Sequence, residues 1–220
     1  MKILKFIVAI ILLPLCISLS QAIYEILLLS IKLNHFSLEE NLSFPLGFIL
    51  CTLILSMIPK PMRTYVLAHE LTHALWAILM GAKIGKMRVT KKGGHVEVSK
   101  TNFWITLAPY FFPLYTFIII SVFFISSLFV NTQSYFNLWL GTIGFTWAFH
   151  IIFTIDMLKT QQTDINENGK IFSYIIIYCM HLIFIGIWIV IIGSPKIKDL
   201  YNVIKDNTFA IYNNLYLFIQ

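Results

Sequence analysis

The sequence predicts an all-α integral membrane protein, with about five full membrane helices, one short motif-bearing helix and a small membrane-associated β-hairpin. Three observations carry this prediction. Of 220 residues, 58% are hydrophobic and only 12% charged, where a soluble domain carries about 25% charge. Residues 6–24, 41–59, 101–155 and 171–195 contain no Asp, Glu, Lys or Arg. A membrane helix needs roughly 20 mostly apolar residues, and four such stretches do not fit one water-soluble core. Finally, residues 84–99 switch to period-two alternation, the pattern of a strand pair.

The elements follow in order. Helix one covers about 3–31, with Pro14 as a kink. Lys2 and Lys5 before an apolar run, and Ser20-Gln21-Ala22 after it, resemble a cleaved signal peptide, but the apolar sequence resumes at Ile23 and favours a retained helix. A polar link with Lys32, Asn34, Glu39, Glu40 and Asn41 leads to helix two, about 42–58, which Pro59-Lys60-Pro61 ends. A short helix covers about 65–80, with Thr64 as its cap and Gly81 as its C-terminal stop. In the hairpin, Gly85, Met87 and Val89 alternate with Lys86, Arg88 and Thr90, and Val96 and Val98 with His95, Glu97 and Ser99. Helices at about 103–129 and 137–158 share the long uncharged stretch, the first bent at its start by Pro109 and Pro113. A polar loop at 159–170 precedes the last clear membrane helix, about 171–193, and a tail, 196–220, is expected at the interface. The whole reads as one membrane domain: helices within 1–58 added before a core at 64–193, then the tail.

The net charge of +6 and pI near 9.2 fit basic loops that set topology. No basic patch interleaved with aromatics is long enough for nucleic acid, so the lipid bilayer is the expected surrounding and no nucleic-acid partner is expected. Cys16, Cys51 and Cys179 lie scattered in apolar runs, without CxxC spacing; neither a disulfide framework nor a redox role is expected.

His69-Glu70-Leu71-Thr72-His73 carries the chemistry. Residues four apart on a helix share a face, so both imidazoles can reach one zinc ion at about 2.0–2.1 Å. Glu70, rotated off that line, can take a proton from zinc-bound water and pass it to a leaving amine. Ionisable groups in an apolar helix are costly and usually functional.

A catalytic zinc takes a third protein ligand, and Asp164, Asp156, Glu167, His150, His181 and His95 are candidates. Topology ranks them. Lys2 and Lys5, Lys60 and Arg63, and the basic 82–100 segment all belong on the cytoplasmic side. A helix of 16 residues, about 24 Å at 1.5 Å per residue, is short of a roughly 30 Å apolar core, so either helix 65–80 enters the membrane without fully crossing or the hairpin folds back into it. Loop 159–170 then lies on the same side as His69 and His73. Asp164 is the first choice and Asp156 the second; His150 and His181 read as core histidines, His95 and His35 as loop or interface residues, and Glu25 as a snorkelling or paired acid.

From His69-Glu70-Leu71-Thr72-His73-Ala74-Leu75 to Gly81-Ala82-Lys83, the chain resembles the site-2-protease family of intramembrane zinc peptidases. The hairpin at 84–99, Leu107-Ala108-Pro109 and Thr163-Asp164-Ile165 with Gly169 are similar in order to that family's later elements, over about residues 64–170. It departs from the family pattern in lacking proline before and glycine after the aspartate, and glycine before Pro109, as a divergent member would. The resemblance implies a zinc metalloprotease that cleaves in or near a transmembrane segment of a polypeptide substrate; the alternative is a non-catalytic membrane scaffold or pseudoprotease that binds membrane segments. His69, His73 and Asp164 would hold Zn2+ and Glu70 would act as base and then acid. It further implies a bacterial inner (cell) membrane, with the zinc site toward the cytoplasm.

Overall fold

A computed structural model describes residues 2–33, 38–193 and 195–219 of the chain. His35 and Asn34 lie outside the described residues. The protein is mostly helical, with one two-stranded antiparallel sheet. Two compact units emerge, residues 37–164 and residues 1–36 with 165–220.

The first of these holds α2 (Leu38–Met57), α3 (Met62–Leu79), β1 (Ile84–Thr90), β2 (Gly93–Val98), α4 (Phe103–Phe111), α5 (Leu114–Ser127) and α6 (Phe136–Leu158). α2 lies against α6 with almost no side chain between them. A β-carbon on Gly47 would stand 1.8 Å from the Gly141 carbonyl oxygen, and one on Gly144 would stand 2.0 Å from that of Phe44. Only glycine permits such backbone approach, the device by which apolar helices associate closely in lipid. Beside this contact Cys51, Leu55, Tyr65, Val66, Ala148 and Phe153 form a buried cluster joining α2, α3 and α6.

The hairpin turns at Lys91-Lys92, with Thr90 opposite Gly93, Arg88 opposite His95 and Met87 opposite Val96, and it is irregular between Ile84 and Met87. Its apolar face follows the alternation: Val96 is buried, Val89 joins the α2–α3–α6 cluster, and Val98 packs on Ala77, Ala82 and Ile105.

The second unit holds α1 (Lys2–Leu33), α8 (Lys170–Ile192) and α9 (Ile197–Ile219). α1 and α8 run the same way, with Lys5 donating to Asn168, Ser20 bonded to Tyr178, and Ile23 beside Gly186. α9 runs back along α1, as its contacts fall from Glu25 with Asn207, through Ser18 with Thr208, to the Ile11 carbonyl with Tyr212. The Cys16 and Cys179 sulfurs, far apart in sequence, stand 3.5 Å apart as free thiols. The paired reading of Glu25 holds, with Asn207 as its donor.

Several expectations need correction. Among the described residues three helical segments, 3–33, 133–158 and 170–192, are long and apolar enough to cross a membrane. A fourth crossing requires counting α4 and α5 together, although they are bent by 76°. The expected single helix at 103–129 is interrupted at Phe112-Pro113, where proline has no N–H to continue the ladder. α2 is apolar only over Leu42–Met57, about 24 Å at 1.5 Å per residue and short of a full crossing. Five full spans are therefore not established. Thr64 does not cap α3, which begins earlier; Pro61 occupies the cap position without a side-chain bond. Gly81 does follow the helix end, with φ of 68°. The polar loop before α8 contains a short helix, α7 (Thr163–Asn168), with Asp164 in its first turn.

Candidate metal centre

α3 presents His69 and His73 on one face, four residues apart. Asp164, at the end of the polar segment after α6, comes to the same point. The Asp164 Oδ2 atom is 3.4 Å from His69 Nε2 and 3.5 Å from His73 Nε2, and the two Nε2 atoms are 3.2 Å apart. The three atoms form a nearly equilateral triangle. Ligands at about 2.0–2.1 Å from a tetrahedral ion stand about 3.3 Å from one another, so these donors fit one small divalent ion with a position left open. Among the described residues, His69, His73 and Asp164 form a group that could hold a metal ion.

The surrounding groups prepare those donors. His73 Nδ1 lies 2.7 Å from the Ile105 carbonyl oxygen at the start of α4. A carbonyl only accepts, so Nδ1 carries the proton and Nε2 keeps its lone pair for a metal. The Tyr65 hydroxyl is 3.3 Å from His69 Nδ1, and its ring stacks on Phe153 of α6 at 4.8 Å. Tyr110, wholly buried in α4, donates to Asp164 Oδ2 at 3.1 Å, and its ring meets His69 edge-on at 5.2 Å. Burial opposes ionisation of Asp164, but hydrogen bonds and charge from His69 and His73 outweigh it and hold the carboxyl below the usual carboxylate range.

Glu70 is buried, at 6% exposure. Its side chain lies under the second residue of β2: a β-carbon on Gly94 would stand 2.6 Å from Glu70 Cγ and 2.7 Å from Oε1. Its carboxyl couples electrostatically to His73, Asp164 and His95. A small cavity opens beside His69, lined by Tyr65, Thr72, Pro109, Phe112, Tyr115 and His150, so the break between α4 and α5 forms part of its wall.

The other candidate ligands go elsewhere. Asp156 forms ion pairs with Lys60 and Lys159. His150 sits on α6 at the cavity wall, His181 on α8 bonds the Ile177 carbonyl, and His95 pairs across the hairpin with Arg88. Glu167 lies on α7, outside the group. Sequence reading missed Tyr65, Tyr110, the Ile105 carbonyl and Gly94. Tyr65 had a signal, one helical turn before His69; the others depend on contacts between distant segments.

The fold and the site together define a mostly helical protein with membrane-type spans and a His-His-Asp group near enough to bind a metal ion. Compared with family models, with curated proteins and with solved structures, the chain matches none.

Proposed function

We propose that this chain is an intramembrane zinc-dependent endopeptidase of the site-2-protease kind, hydrolysing a peptide bond in or near a transmembrane segment of another membrane protein. The observation that carries the reading is the triangle of donor atoms, 3.2–3.5 Å on each side, directly beside a buried glutamate in the order His-Glu-x-x-His.

Two imidazoles and one carboxylate are the donor set of hydrolytic zinc sites, which favours zinc over a harder cation. When bound, zinc supplies Lewis acidity toward the carbonyl under attack and toward water. The chain's own groups do the rest. Ile105 and Tyr65 orient the two imidazoles, and Tyr110 steadies the carboxylate. Glu70 takes the proton from the attacking water and returns it to the departing amine nitrogen. Gly94 packs over Glu70, with Val66 also beside that glycine, and limits bulk water around the carboxylate. Charge distribution supports a cytoplasmic site: Lys60 pairs with Asp156 at the start of α3, and Lys5 near the start of α1 meets Asn168. Within each unit a basic residue thus lies beside the polar stretch near 159–170, in keeping with positive-inside placement.

The test combines metal analysis with cleavage of a transmembrane peptide. Wild type should carry one zinc and cut; His69→Ala and Asp164→Ala should lose both. Glu70→Gln should keep zinc and lose cleavage. Zinc at full occupancy in Asp164→Ala, or cleavage by Glu70→Gln, would sink the assignment.

A further inference from the structure

We propose that α9 pairs with α9 of a second copy of this chain within the membrane. The proposal requires α1 to span the bilayer and is independent of the metal centre.

The argument begins with depth. α9 follows α1 from the level of Glu25 to that of Ile11, and α1 is uncharged from residue 6 to residue 24. If α1 spans, the stretch of α9 from Ile204 to Tyr212, which bonds Ser18 and Ile11, therefore lies at the depth of the hydrocarbon core and not along its surface. Yet α9 is polar, and it repeats every seven residues: Ile197-Lys198-Asp199, Ile204-Lys205-Asp206, Ile211-Tyr212-Asn213. The face with Leu200, Ile204 and Thr208 is turned toward α1. The opposite face leaves Lys198, Asn202, Lys205, Asp206 and Asn213 exposed, with Phe209 among them. Charged side chains facing lipid at that depth are strongly disfavoured, so this stripe requires a polar cover.

Charge placement identifies the cover. At 100° per residue, Asn202 lies near the middle of the stripe, with Lys198 and Lys205 on one flank and Asp199 and Asp206 on the other. Copies inserted in one orientation can be related only by a two-fold axis along the membrane normal, which makes paired helices parallel. Such an axis brings the lysine flank of one helix against the aspartate flank of the other on both sides. Lys205 then meets the second copy's Asp206, and Lys198 its Asp199, whose carboxylate also accepts from the Lys196 backbone N–H. The stripe is self-complementary in the one symmetry available to it.

The experiment uses two differently tagged full-length chains expressed together, solubilised in mild detergent and co-purified through one tag. Wild-type pairs should co-purify. Lys205→Asp with itself and Asp206→Lys with itself should lose at least tenfold in recovery, and Lys205→Asp with Asp206→Lys should recover it. Thermal unfolding of each variant separates misfolding from dissociation. Asn202→Cys, with native charges kept, should form an oxidised dimer in membranes that the native chain does not. Absence of wild-type co-purification, equal recovery in all pairings, or no Asn202→Cys dimer would overturn the proposal. So would full labelling of Asn202→Cys by a membrane-impermeant maleimide, which would put the stripe in water.

Discussion

Gly94 and Glu70 touch across the boundary between hairpin and helix: the glycine backbone sits where any side chain would enter the carboxylate's space. The start of β2 thus forms the roof over the residue assigned to proton transfer. Gly94→Ala must lift the strand or displace Glu70. Cleavage should fall about tenfold or more, roughly 1.4 kcal/mol at the transition state, while zinc content stays at wild-type level. Loss of zinc in this variant would mean that the hairpin supports the metal rather than the glutamate.

Tyr110→Phe removes one hydrogen bond from Asp164 and leaves the ring against His69. Groups that orient a ligand typically change metal affinity by 10–100-fold, so zinc should bind about tenfold more weakly by competition with a chelator. Unchanged affinity would show that Asp164 is held by other contacts.

Zinc retention should depend on pH through the imidazoles. Both must be neutral to bind metal, whereas His69 and His73 keep the Asp164 carboxyl ionised below the usual carboxylate range. Zinc should therefore leave as the pH falls and the imidazoles take up protons, before the aspartate does. Release only below pH 4 would contradict this order.

Gly144→Ala places a methyl group against the Phe44 backbone. Overpacking of this kind costs about 1–3 kcal/mol, and thermal unfolding in detergent should move down accordingly. A variant as stable as wild type would show that α2 can slide away freely.

The two histidines were legible because helical periodicity alone puts residues 69 and 73 on one face. Asp164 required a longer argument, from basic loops to the side on which the polar turn must lie, and its 3.4–3.5 Å approach to both rings agrees with that argument. The hairpin was legible from alternation on either side of Lys91-Lys92-Gly93-Gly94, a pattern that leaves the turn residues open; Lys91-Lys92 make the turn. Tyr110 and the Ile105 carbonyl had no local signature; each acts on a residue 54 or 32 positions away. The break at Pro113 was expected as a kinked or partly unwound entry, and its 76° angle was not legible, because sequence shows where the ladder is interrupted and not how far the next helix then turns. The pairing of the tail with α1 had no local signature either, since its bonds to Ser18 and Glu25 join segments more than 180 residues apart.

The glycine seam between α2 and α6 has one more consequence. α6 leads directly into the turn that delivers Asp164, so the stand-off between that aspartate and the two rings is inherited from how firmly α6 is gripped. Side chains at a helix contact can yield by changing rotamer; carbonyls against bare α-carbons cannot. A helix that brings no residue to the metal therefore acts as its gauge block, and shortening α2 should blunt zinc binding from a distance.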